Sequence, residues 1–241
     1  MLFRSNTIIA TSAGTAKDTA AEVQVIADIA ASLLAGADGN GANNNVTLTA
    51  SQYALIGLTT IDDATKASLL NDAIDAMTSS QVDTQTELLA LASIVNRLMI
   101  TAADGSPSPA LTAADFATLG ITGVTADNLP AVIAAIEASA NDGTGIDTMA
   151  ELQALVTGAV NSYTTSLAKI SGYTGSNSAP TATDYTNVGV TGVDAGNLAA
   201  INSVIGPLSS TATDTRVEIQ AIVDAYNVIL GAADGVSGTG G

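Results

Sequence analysis

Asp147-Thr-Met-Ala-Glu151-Leu-Gln-Ala-Leu-Val156-Thr-Gly-Ala-Val160-Asn-Ser-Tyr163 is the stretch that decides the fold. Thr148 followed three positions later by Glu151 is a capping box, in which each side chain satisfies a backbone amide that the first helical turn leaves unpaired. Leu152, Leu155, Val156, Ala159, Val160, Tyr163 and Leu167 then recur at helical spacing along one stripe. The same signal opens apolar runs at Thr19–Glu22, Thr84–Glu87 and Thr215–Glu218. An Asp precedes every Thr (Asp18, Asp83, Asp147, Asp214). Separations of 65, 64 and 67 residues make the chain a tandem repeat, and a fixed period sets the architecture ahead of any local reading.

Upstream of that helix, Thr112 stands three positions before Asp115, an N-cap with an acid at the positive end of a helix. Phe116 and Leu119 share a face, and Gly120 ends this short first helix. Thr125 or Asp127 caps a second helix with Leu129, Val132, Ile133 and Ile136 at i, i+3, i+4, i+7, and Pro130 falls in its tolerant first turn. Thr49-Ala-Ser-Gln52-Tyr53 and Thr181-Ala-Thr-Asp184-Tyr185 repeat the first element; Asp63–Met77 and Ala195–Ile205 repeat the second. Three of the four long helices run into Ala-Asp-Gly, at Ala37–Gly39, Ala103–Gly105 and Ala233–Gly235, where the Gly is expected to take the left-handed C-cap.

The pattern predicts an all-α chain, a tandem array of three-helix bundle modules of about 65 residues joined by short linkers. Residues 1–45 hold the final helix of a preceding module and a linker. Modules follow at 46–105, 106–175 and 176–241, the last with a tail. The leading helix has no bundle of its own and must dock on its neighbour or fray. The chain reads as an excerpt of a longer array, and beads end to end are expected in preference to a continuous superhelix.

Composition narrows the function classes. Only six basic residues, Arg4, Lys17, Lys66, Arg97, Lys169 and Arg216, offset 23 acids, for a net charge of −17. They are scattered, so no patch neutralises phosphates and no nucleic acid is expected as a partner. No apolar run approaches the ~18–20 residues of a membrane span, so membrane insertion is not expected either. Met1–Ser5 does not read as a signal peptide. His and Cys are absent, which removes Ser–His and Cys–His nucleophile systems.

The remaining candidates have simpler structural explanations. The four box Glu residues could be offered as acids or ligands, but capping explains all of them. Asp38-Gly-Asn-Gly-Ala-Asn-Asn-Asn45 has calcium-like oxygens yet lacks the second carboxylate and closing Glu of an EF-hand loop. The aromatic residues at 53, 116 and 185 could form a stacking face, but each falls at a core position beside a Gly turn. Thr164–Thr165 and Thr211–Thr215 read as caps and turns and not as a flat ice-binding array. No catalytic, cofactor-binding or metal residue is assigned, no cofactor is expected, and the chain is expected not to be an enzyme.

Pro180-Thr-Ala-Thr-Asp-Tyr-Thr-Asn-Val-Gly-Val-Thr-Gly-Val-Asp-Ala-Gly-Asn-Leu-Ala-Ala-Ile-Asn202, with Glu218-Ile-Gln-Ala-Ile-Val-Asp224, resembles a helical repeat of very large bacterial surface proteins and adhesins. That repeat is similar in layout to the three-helix modules called GA-like. Asp115–Asn128 with Glu151–Val156 carries the pattern too. The 46–105 stretch departs from it at Thr60 and Leu89. The resemblance implies an extracellular or cell-surface bacterial setting and a spacer or stalk role. Albumin binding does not follow, since no contact residues are matched. The expected partners are neighbouring modules of the same chain, and the chain is expected to be a monomer. In the alternative reading, a multivalent array binds a host or cell-surface protein or a glycan. Exposed positions drift between repeats (Ala126-Asp127, Ala195-Gly196, Asp63-Ala64), which favours the spacer.

Overall fold

A computed structural model describes residues 19–233, and among these the chain is all-α, with ten α-helices and no strand. They are α1 (Ala20–Gly36), α2 (Ala50–Leu55), α3 (Ala64–Asp75), α4 (Gln85–Ala102), α5 (Ala113–Thr118), α6 (Leu129–Glu137), α7 (Met149–Ser171), α8 (Ala182–Asn187), α9 (Leu198–Ile205) and α10 (Arg216–Ala233). Short 3-10 turns at Ser79–Gln81 and Ser210–Ala212 precede α4 and α10. The Met1–Ser5 opening, Arg4, Lys17, Asp18 and the Asp234-Gly235 part of the last stop signal lie outside the described residues.

Every long helix begins at its box. The Thr84 amide donates to Glu87 Oε2 at 3.0 Å, and the Glu87 amide donates to Thr84 Oγ1 at 3.3 Å. Equivalent bonds hold Thr19–Glu22 and Thr215–Glu218, and at the fourth box the Thr148 hydroxyl donates to Glu151 Oε2 and the Glu151 amide to Thr148 Oγ1. The six-residue helices, too short to persist on propensity alone, use the same reciprocal device with Gln52, Asp115 and Asp184 at the third position. They also stop alike. Gly120 sits at φ 84°, its amide donates to Ala117 O and the Ile121 amide to Phe116 O. Gly57 and Gly189 repeat this left-handed closure, which drives Leu58, Ile121 and Val190 into the core.

Two local expectations need correction. At the end of α4 the left-handed seat is taken by Asp104 (φ 58°), not Gly105, whose amide closes the turn onto Ile100 O at 2.8 Å. Asp tolerates this region because its short polar side chain bonds locally. The second helices are also shorter than the spacing predicts: Ala64–Asp75 against Asp63–Met77, and Leu198–Ile205 against Ala195–Ile205. Before α9, Asp194 Oδ1 accepts from the Gly196 and Asn197 amides, and Asn197 Oδ1 accepts from the Asp194 amide. That turn competes with helix and delays its start. Before α6, Thr125 pairs in the same way with Asn128, closing a turn that delays the helix to Leu129, so neither Thr125 nor Asp127 directly caps it, and Asp127 instead accepts from the Tyr163 hydroxyl.

The chain gathers into two compact units. The first holds the described residues up to Thr122 together with Ile136–Leu155; the second holds Gly123–Ala135 and the residues from Val156 on. Two of the three divisions fall inside α6 and α7 and the other at 122/123, whereas the repeat borders read from the sequence lie at 45/46, 105/106 and 175/176. In the first unit α1 packs on α3 and on the Ser79–Gln81 turn, burying Ile26, Ile29, Ala30 and Leu33. Tyr53, Leu58, Leu69, Leu70, Ile74, Leu88, Val95, Leu98 and Phe116 complete that interior. The core of the second is built from Tyr163, Ile170, Tyr185, Val188, Val190, Ile201, Ile205, Ile219 and Val223.

Candidate functional site

The four box glutamates are occupied by capping, and two of them share a hydrogen bond with the Asp that precedes their Thr. The Thr148 hydroxyl and Asp147 hold Glu151 below the usual carboxylate range, and the Thr215 hydroxyl and Asp214 do the same for Glu218. The neighbouring acids move the other way. Burial and the bond to Glu151 push Asp147 up; the bond to Glu218, then burial, push Asp214 up. Such pairs can share a proton in acid.

The Asp38–Asn45 loop folds onto its own carboxylate. Asp38 Oδ1 accepts from the Asn40 amide at 2.9 Å, and Oδ2 accepts from Asn43 Nδ2 at 2.8 Å and Asn45 Nδ2 at 3.1 Å. The Asn43 amide group, the Asn40 amide and Asn45 hold the acid low. Oxygens filled by N–H donors are a knot that closes the loop, not a ligand set open to a cation. Among the described residues no group of three or more acids stands in metal-binding arrangement. The loop is then pinned to α3 by the buried Asp75, whose Oδ2 and Oδ1 accept from the Asn44 and Asn45 amides at 3.0 and 2.9 Å. Tyr53, Phe116 and Tyr185 are fully buried, so these three present no aromatic face to a ligand.

One hollow of the first unit, about 620 Å³, is an open groove between the Asn44–Ser51 connector and the α3 face bearing Ala64, Ser68, Asn71 and Asp72. Burial raises Asp72, with further upward pushes from Asp75 and Glu151, against the stabilising amide of Met149, which donates to Asp72 Oδ2 at 3.1 Å. In the second unit a hollow of about 420 Å³ lies at the repeat-equivalent place, along Ala199, Asn202 and Ser203. There Ser203 replaces Asp72 and Ala199 replaces Ser68. Apart from the shared Asn71 and Asn202 the polar lining is therefore not kept, and neither groove has a paired acid and base or a convergent charge.

What does recur is a set of buried polar joints. The Tyr53 hydroxyl donates to Asn71 Oδ1 at 2.7 Å, and Asn71 also exchanges two bonds with the Leu48 backbone. The Tyr185 hydroxyl donates to Asn202 Oδ1 at 2.6 Å, and Asn202 Nδ2 donates to Pro180 O at 2.8 Å. In the 106–175 repeat the equivalent positions carry Phe116 and Ile133. Hydroxyl and amide disappear together, as they must if neither is to be left unpaired in the interior. Asn128 and Asn197 form a second pair of buried amides, reaching back to Gly123 O and Gly192 O.

Ion pairs bind a long helix to the short helix that follows it. Arg97 of α4 grips Asp115 of α5 with two bonds, Nη2 to Oδ1 at 2.6 Å and Nη1 to Oδ2 at 3.0 Å, and Nη1 also donates to Ala110 O. Lys169 of α7 meets Asp184 of α8 at 2.6 Å. Burial pushes Asp115 up, but the Arg97 and Thr112 bonds outweigh it and hold its carboxyl low. Burial likewise opposes Lys169 and Thr181 at Asp184, with the same net result. Both acids are also the third residue of their helix's box, so one carboxylate caps and clamps at once.

Asn71, Asn202, Asn128, Asn197 and both ion pairs were not singled out by sequence reasoning. Aligning the repeats would have found the first two, because Tyr travels with Asn and Phe with Ile. Compared with known proteins, the chain matches no family model, no curated protein and no solved structure.

Proposed function

We propose that this chain is a non-enzymatic structural spacer, a tandem array of three-helix modules of the GA-like layout, serving as a stalk segment of a bacterial cell-surface or secreted adhesin-type protein. One observation carries the reading: the recurring polar side chains of the interior are spent on joints between successive elements of the repeat, and even Asn71 and Asn202, which border the two grooves, have their amides bonded to a Tyr hydroxyl and a connector carbonyl. Arg97–Asp115 spans the border between the 46–105 and 106–175 repeats, and Lys169–Asp184 spans the next. Such clamps transmit force along a chain. The strong acidity keeps neighbouring segments apart and soluble. Drift in the groove linings argues against a binding array that needs identical sites for avidity.

Small-angle scattering tests the reading. The expected result is a radius of gyration well above the ~18 Å of a compact domain of this length. A value near 18 Å at low and high salt alike would sink it.

A further inference from the structure

The first and last long helices follow one template. Residues 19–39 and 215–235 align without a gap, sharing Thr19/Thr215, Glu22/Glu218, Gln24/Gln220, Ile26/Ile222, Asp28/Asp224, Leu34/Leu230 and Ala37-Asp38-Gly39/Ala233-Asp234-Gly235. Yet their halves are buried in opposite senses. Val23 in α1 is 37% exposed, whereas its counterpart Ile219 in α10 is 0% exposed, inside the core of the second unit. Leu33 in α1 is 0% exposed, whereas its counterpart Ile229 is 67% exposed, flanked by Val228 and Leu230, also exposed. The other long helices behave like α1 at this end: α4 buries Leu98 and Ala102, and α7 buries Ser166 and Ile170. In the first unit the cover over α1 is known. It is the segment from Asp38 to Gln81, with Val46 against Gly36, the Gly39 amide on Met77 O, and α3 and the 79–81 turn across the helix.

Charge narrows the occupant further. Where the long helix supplies a cation, the following box has Asp at its third position, as with Arg97–Asp115 and Lys169–Asp184. Between Ala20 and Gly36, α1 carries no cation, and its following box has the neutral Gln52. After Arg216, α10 carries none either.

We propose that the C-terminal half of α10 is the seat for a further repeat of the Asp38–Gln81 type, entering in register after Gly235, with an uncharged third residue in its first box. The inference rests on the array reading above and names the partner of one uncovered face. Several positions depart from the template, among them Tyr226 and Ala225 at the places of the buried Ala30 and Ile29. Ala232 stands where Gly36 does, and a Cβ at Gly36 would lie 2.5 Å from Val46 Cγ2.

The test extends the full chain with a copy of residues 40–105 after Gly235, in an Ala232→Gly background, and follows amide exchange of residues 226–233. Exchange there should slow at least tenfold relative to the unextended chain carrying the same substitution. Ile229→Asp should abolish the gain in the extended chain while leaving the unextended chain's melting temperature within a degree. Asp at the grafted counterpart of Gln52 should reduce the gain severalfold. Unchanged exchange, whether the graft is helical or unfolded, overturns the seat. Concentration-dependent protection in the unextended chain would assign the face to a second copy and also overturn it. A compact particle by scattering sinks the spacer reading whatever the exchange result; a folded graft that leaves α10 unprotected sinks only the seat.

Discussion

The joint between α4 and α5 and the joint between α7 and α8 do the same work with different chemistry. In both, the acid is the third residue of a capping box, fixed by the local helix start. The cation is the variable. Arg97 arrives fifteen residues before the next box Thr and Lys169 twelve before it, nearly one helical turn apart. Arg97 binds bidentately with both partners' side chains mostly buried, at 10% and 16% exposure; Lys169 binds through one atom at 32% exposure. A planar fork can satisfy two carboxylate oxygens and a carbonyl, whereas an ammonium acts as a point charge. The acid is kept because the helix needs it, and a cation from either turn can then use it.

Asp115→Ala is expected to be the costliest change at these joints. It removes a cap and leaves a buried guanidinium unpaired, for a loss of about 3–4 kcal/mol in urea unfolding. Arg97→Met keeps the stem and leaves Asp115 with its Thr112 bonds, so about 2 kcal/mol is expected. Lys169→Met should cost about 1 kcal/mol or less, since the pair is partly solvated. Equal losses for the two cation variants would show that fork geometry adds nothing to the first joint.

Acid titration gives the smallest effect and carries both signs. Asp115 and Asp184 lie below the ordinary aspartate value of 3.8, so their contribution is present above it and lost as pH falls through their lowered values. Asp72, Asp147 and Asp214 lie above theirs, so the charged form is disfavoured in the fold and protonation relieves it. Thermal melts should therefore rise slightly as pH drops from neutral toward the upper carboxylate range, then fall below about 3.8. In Arg97→Met the lower limb should flatten.

Helix starts were legible because a capping box is complete within four residues, and Gly57, Gly120 and Gly189 mark stops in the same local way. All-α character followed from these signals together with the apolar spacing. The joints were not legible. Arg97 and Lys169 look isolated in a chain with so few cations, and their acids are eighteen and fifteen residues away. The delayed starts of α6 and α9 were missed because Asn128 and Asn197 sit among apolar residues, where only a turn reaching back to a Gly carbonyl explains them. Asp104 in a left-handed seat went against the simple preference for Gly.

Every described lysine and arginine, at 66, 97, 169 and 216, lies within an α-helix, and none is an exposed side chain. An enzyme of trypsin-like specificity must draw a basic residue and several neighbours into an extended strand. Between Thr19 and Ala233 the folded protein therefore offers it no ready cleavage point. On the extracellular reading proposed above, sparing these cations would confer durability against such enzymes, and the first tryptic cut between Thr19 and Ala233 would mark the loss of a helix.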